Sequence, residues 1–144
     1  FVNESGATAN LTGGLVVNDF ATVKNKTGAT INAGAVTVDT FGVINNYEGA
    51  TLAYASVDAD GIVRNLGTLN VTGTYAIGDE GETTFAGDTK VGTLSVGRTA
   101  KTMLMARDGQ EAVLHNTGKT YADELDLVSG TIMVEKDSIL AASL

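Results

Sequence analysis

The 144-residue sequence contains no cysteine, no proline and no tryptophan, and only one histidine. Without cysteine there is no disulfide framework, no iron–sulfur cluster and no thiolate zinc site. That does not exclude an extracellular home, because large repetitive surface proteins can do without disulfides. The lone histidine, His115, leaves no multi-histidine metal site and no paired-histidine acid–base site. Positive charge is scarce as well: 9 Lys and Arg stand against 17 Asp and Glu, a net charge of −8. General attraction to nucleic acid or anionic lipid is therefore not expected. No apolar run approaches the ~18 residues that span a bilayer, and no basic, apolar leader opens the chain. The sequence begins at Phe1, inside what reads as repeat sequence. We expect a processed protein or a piece of a longer exported one.

What is abundant is glycine, 18 residues, together with repetition. Val23, Val43 and Val63 recur at a spacing of 20, as do Asn25, Asn45 and Asn65. Gly-Ala-Thr follows at 28–30 and 49–51, then a contracted Gly67-Thr68, and each is followed by an apolar residue, Ile31, Leu52 or Leu69. Val36 matches Val57, and Phe41 matches Ile62. Upstream, Val2-Asn3 precede Gly6-Ala7-Thr8, with Leu11, Val17 and Phe20 beyond. Four copies thus lie between residue 1 and about residue 81.

Within a copy the pattern is short and two-periodic, as in Thr30-Ile31-Asn32-Ala33, which suits strands with one buried face. Gly and Asn punctuate these strands where tight corners are needed. A unit of about 20 residues cannot bury its own apolar side, but stacking the next unit on it in parallel can. The sequence therefore predicts an all-β parallel β-helix, or solenoid, with coils of about 20 residues. Stacking also explains the missing proline, which would delete ladder donors. It explains the recurring asparagine, whose side chains can bond from coil to coil. An antiparallel sandwich suits short strands equally well but gives no reason for near-identity at a fixed period. The expected register places Val23, Val43 and Val63 in adjacent coils and Asn45 in a buried ladder with Asn25 and Asn65.

The whole of 1–144 reads as a single solenoid domain, with regular repeats over 1–81 and divergent coils over 82–144. Gly92-Thr93-Leu94-Ser95-Val96 matches the Gly-Thr-Leu-Asn-Val of 67–71, and residues 113–118 match the Val-x-Asn opening. Asp108-Gly109 signals a hairpin near 103–114, with a plain turn between solenoid strands as the alternative. Residues 119–128 fit one or two helical turns or a strand, and final strands are expected at about 125–128 and 131–135.

Candidate chemistry is sparse. His115 stands where a turn asparagine stands elsewhere and reads as a turn residue. Gly118-Lys119-Thr120 resembles the end of a phosphate-binding loop, but Val113 occupies the required upstream glycine position. Asp58 and Asp60, and Asp79, Glu80 and Glu82, invite a calcium reading, yet neither stretch has the spacing of an EF-hand or a calcium-binding β-roll; they read as solvated turn carboxylates. Arg64, Arg98 and Arg107 occupy unrelated places in their repeats, so no pair of acids beside a base is forced onto one face. Asn3, Asn10, Asn25 and Asn70 each begin a glycosylation tripeptide, which matters only in a glycosylating host. Thr37, Thr40, Thr72 and Thr74 lack the in-register repeat of an ice-binding face. No catalytic residue, cofactor or metal is expected, and no enzyme activity.

The residues V-x-N-x-x-G-A-T-I-N and N-L-G-T-L-N-V-T-G resemble the repeats of bacterial surface β-helix proteins, the passenger regions of autotransporter adhesins and filamentous haemagglutinin-like adhesins. The resemblance covers 1–81 well and 91–134 loosely. It implies export to the extracellular space or bacterial cell surface, a right-handed β-helix with three faces per coil, and adhesion or self-association. The partners expected are other copies of the chain and a surface glycan or protein. The alternative is a carbohydrate-binding or carbohydrate-cleaving β-helix, with Tyr47, Tyr54, Tyr75 and Tyr121 lining a groove.

Overall fold

In each of the first three coils a short strand ends on asparagine, a tight corner follows, and a longer strand begins at threonine. The computed structural model describes residues 1–97 and 111–143. The short strands are β1 (Val2–Asn3), β4 (Thr22–Asn25), β6 (Val43–Asn46), β8 (Ile62–Asn65), β10 (Glu82–Phe85), β12 (Val113–Asn116) and β14 (Thr131–Val134). They pair in that order into a seven-stranded sheet. The longer strands are β5 (Thr30–Val38), β7 (Thr51–Ala59), β9 (Thr68–Ile77), β11 (Asp88–Val96) and β13 (Lys119–Leu127), ended by β15 (Ile139–Ala142). At the other end β2 (Thr8–Leu11) and β3 (Leu15–Val17) both pair with β5. The pairings are parallel throughout, giving a β-solenoid of about six turns with coils of roughly 21 residues.

The first coil thus has three separate strands, broken by Thr12-Gly13-Gly14, while later coils fuse the second and third. A trace of the break persists as register shifts after Tyr54 and after Val91.

Alternation along each strand sends every second side chain inward. One inner column runs Ile31, Leu52, Leu69; another runs Val36, Val57, Tyr75, Leu94; a third runs Val17, Val38, Ala59, Ile77, Val96. All of these are buried. Apolar side chains from successive coils, about 4.8 Å apart, stack to fill the interior.

The corner after asparagine explains Gly-Ala-Thr. Ala7, Ala29 and Ala50 each donate a backbone N–H to the carbonyl three residues earlier, at Glu4, Lys26 and Tyr47. Gly6, Gly28 and Gly49 supply φ of 76° at the third turn position. That is the φ signature of a type II turn, which glycine adopts without strain. Asp137 holds the same position at φ 66° in the last such corner.

Asn3, Asn25, Asn46 and Asn65 line the corner from inside, and each of the first three amides donates to the next asparagine's side-chain oxygen at 2.8–2.9 Å. Each also donates to a backbone carbonyl of the following strand, as Asn25 does to Thr51 at 2.9 Å. Phe85 interrupts this column. There Thr89 accepts the Asn65 amide at 3.1 Å, and beyond it Thr120 donates to the Asn116 oxygen at 2.6 Å. Threonine hydroxyls thus close the network around an aromatic ring that cannot join it.

Register differs from the strict 20-residue spacing. Val23 pairs with Ile44, which pairs with Val63, whereas Val43 pairs with Thr22 and Ile62. The buried ladder member is therefore Asn46; Asn45 stands between Lys24 and Arg64 on the outer side, and Ile62 aligns with Val43 rather than Phe41. Successive asparagines are 21 and then 19 residues apart, because the corner between β7 and β8, Asp60-Gly61, is two residues shorter than its counterpart 39–42. Gly92–Val96 matches Gly73–Ile77, the second half of β9, not 67–71. His115 is not at a corner: it points outward from β12, and Asn116 holds the ladder position. Residues 119–127 form strand, and β15 is an additional strand. The hairpin expected near 103–114 lies largely outside the described residues, and Val113–Asn116 at its end pairs in parallel.

Candidate functional site

Corner length sets the relief of the solenoid surface. Between the long and short strands, Ala59 is followed by only Asp60 and Gly61 before β8. The flanking corners, 39–42 and 78–81, are longer. Thr40 reaches across the short coil and donates to Glu80 at 2.8 Å, roofing Asp60. One oxygen of Asp60 is buried without a hydrogen-bond partner. Burial, then the charges of Asp58, Glu80, Asp39 and Asp79, push its carboxyl up to about 6. Asp79 is fully buried and Asp60 half-buried, so these two are not solvated turn carboxylates; the short corner sets Asp60 back between its longer neighbours. Glu82 stays exposed on β10. Among the described residues no group of three His, Cys, Asp or Glu side chains is placed to hold a metal ion.

The opposite corner produces a groove. The corners 4–7, 26–29 and 47–50 have four residues between strands, the next three, 66–67, 86–87 and 117–118, have two, and 135–138 has four again. Three retracted coils therefore lie between raised ones, enclosing about 460 Å³. Gly67, Gly87 and Gly118 form the floor; a Cβ on any of them would collide with carbonyl oxygens of the preceding coil. Leu66, half exposed, and Ala86 are the apolar contributions. Around them stand Glu48, Asp88, Lys119 and Asp137, with Thr68 and Thr117.

The tyrosines do not share a groove. Tyr54 and Tyr75 are core residues, Tyr47 lies beneath the Lys26 ammonium at 4.8 Å, and Tyr121 is exposed on β13. Burial pushes both core phenols up. Tyr75 bonds Thr83 at 3.0 Å and meets Phe85 edge-on, whereas the Tyr54 hydroxyl is buried without a partner. These rings fill wide parts of the core.

No family model, curated protein or solved structure matches the chain. The surface itself is therefore the guide to its use.

His115 meets Glu135 at 2.8 Å as a half-exposed pair. Lys119 heads β13 from the end of a two-residue corner, with no phosphate cradle around it. Arg64 reaches Asn45 at 3.5 Å, and Arg98 and Arg107 lie outside the described residues. Phe20 and Phe41 stack at 5.2 Å on an outer corner, and Phe20 is 82% exposed at φ 64°. The sequence carries no evident sign of this pair, and the one sign of the groove is the contraction of Gly-Ala-Thr to Gly67-Thr68, which shortens the corner to Leu66-Gly67.

Proposed function

We propose that the chain is a structural and adhesive module of a bacterial surface or secreted protein, able to stack end to end with copies of itself and without catalysis of its own. The carrying observation is the state of the last coil. The columns that bury Leu94 and Val96 end in Leu125 and Leu127, which are 38% and 54% exposed. The edge of β13 beyond Ala122 offers the geometry that each earlier coil offers to the next. Because β15 already covers the first half of β13, a second copy stacking on β15 by its β2 would carry its β3, with Leu15 and Val17, over Leu125 and Leu127. Asp123, Glu124 and Asp126 on the same edge oppose this by charge, so salt favours it.

Sedimentation velocity across protein and salt concentration tests the reading. Association that grows with salt and disappears in Leu127→Lys supports it. A monomer at every concentration, or association indifferent to that substitution, overturns it.

A further inference from the structure

We propose that the corner groove over Gly67, Gly87 and Gly118 binds a short neutral oligosaccharide laid along the solenoid axis. This rests on the adhesive part of the function proposed above and names the partner chemistry. Three retracted coils at about 4.8 Å per coil give a trough about 14 Å long. The glycine floor carries no side chains, and Leu66 and Ala86 offer apolar contact for the C–H face of a sugar ring.

The rim narrows the choice of ligand. Glu48, Asp88 and Asp137 supply carboxylate acceptors, Lys119 an ammonium donor, and Thr68 and Thr117 hydroxyls that do both. None of these six side chains is engaged in a hydrogen bond or ion pair among the described residues. Three carboxylates disfavour an anionic glycan or nucleic acid. Lys119, in register with Asp88, offsets one of the three carboxylates. Groups of both signs, with open hydrogen-bonding capacity over a floor free of side chains, suit a neutral polyhydroxylated chain. The groove backbone is already held from coil to coil: Leu66, Ala86 and Thr117 donate to Asn46, Asn65 and Phe85. Recognition would therefore run through side chains, and a peptide strand finds no free edge there.

The test is amide chemical-shift mapping of the 144-residue chain with neutral linear tri- and tetrasaccharides of gluco, manno and galacto configuration. Sulfated trisaccharides and a lysine-rich decapeptide form the other arms. Saturable shifts at Gly67, Gly87, Thr117 and Gly118 with a neutral sugar are expected. The charge-neutral variant Asp88→Ala/Lys119→Ala, altering two exposed residues, should weaken that binding at least tenfold. No saturable shift with any neutral sugar overturns the proposal. So does a response confined to the sulfated or peptide arm, shifts mapping elsewhere, or unchanged affinity in the double variant. Sedimentation of the same variant keeps the two readings apart, because end-to-end stacking does not involve the groove.

Discussion

Replacing Asn46 by alanine, beside replacing its neighbour Asn45, discriminates sharply between registers. Asn46 is fully buried and donates to Asn65 at 2.8 Å, to the Thr68 carbonyl at 3.1 Å and to the Ala50 carbonyl at 3.2 Å. Its oxygen accepts from Asn25 at 2.9 Å. Alanine deletes all four bonds and leaves the Asn65 oxygen without its donor where water does not reach. The two amide hydrogens are shared among three acceptors, so about three net bonds are lost at about 1 kcal/mol each; with about 1 kcal/mol for the stranded acceptor the loss is about 4 kcal/mol. For a chain of this size that lowers Tm by about 10 °C. Asn45, on the outer side of the same strand, makes one long contact with Arg64. Its replacement should stay within about 0.5 kcal/mol. Urea denaturation and calorimetry of the two variants measure the difference. Equal losses, or an Asn46→Ala loss below about 1 kcal/mol, would refute the ladder as the source of corner stability.

Two further outcomes follow from buried polar groups. Asp60 titrates at about 6, above an ordinary carboxylate, so the folded state favours its protonated form. The associated stability is present in acid and lost as pH rises through about 6. Allowing for solvent screening of a half-buried group, Asp60→Asn should stabilise by about 1 kcal/mol at pH 7.5 and by little near pH 4; a gain equal at both pH values would contradict the assignment. Tyr75→Phe strips Thr83 of its buried partner and should cost about 1 kcal/mol, while Tyr54→Phe removes an unpartnered hydroxyl and should be neutral or stabilising. Urea midpoints reversed in that order would contradict both environments.

Much of the architecture was legible because the repeat states it. Threonine opening β2, β5, β7 and β9, Ile31, Leu52 and Leu69 as one core column, and asparagine lining the corner are all visible as residues at a near-constant period. Register was less legible, because insertions and deletions cancel. The step from the second coil to the third is 21 residues and the next is 19, so a mean of 20 selects Asn45 instead of Asn46. Anchoring on Gly28-Ala29-Thr30 and Gly49-Ala50-Thr51, which are 21 apart, selects correctly. His115 beside Asn116 was misplaced for the same reason. The groove and the roofed carboxylate depend on the corner lengths of three or more coils together. Such relief belongs to the stack rather than to any single motif.

The stack itself can be tested without background, since the chain contains no cysteine. Lys24, Asn45 and Arg64 form one outward column that continues through Thr84 and His115. Adjacent coils about 4.8 Å apart lie within disulfide reach, and coils two apart do not. Oxidation followed by non-reducing mass analysis should show closure in Lys24→Cys/Asn45→Cys, Asn45→Cys/Arg64→Cys and Thr84→Cys/His115→Cys. Lys24→Cys/Arg64→Cys should remain reduced. A reduced Thr84→Cys/His115→Cys pair, or ready closure of the pair two coils apart, would contradict the solenoid on which both functional readings stand.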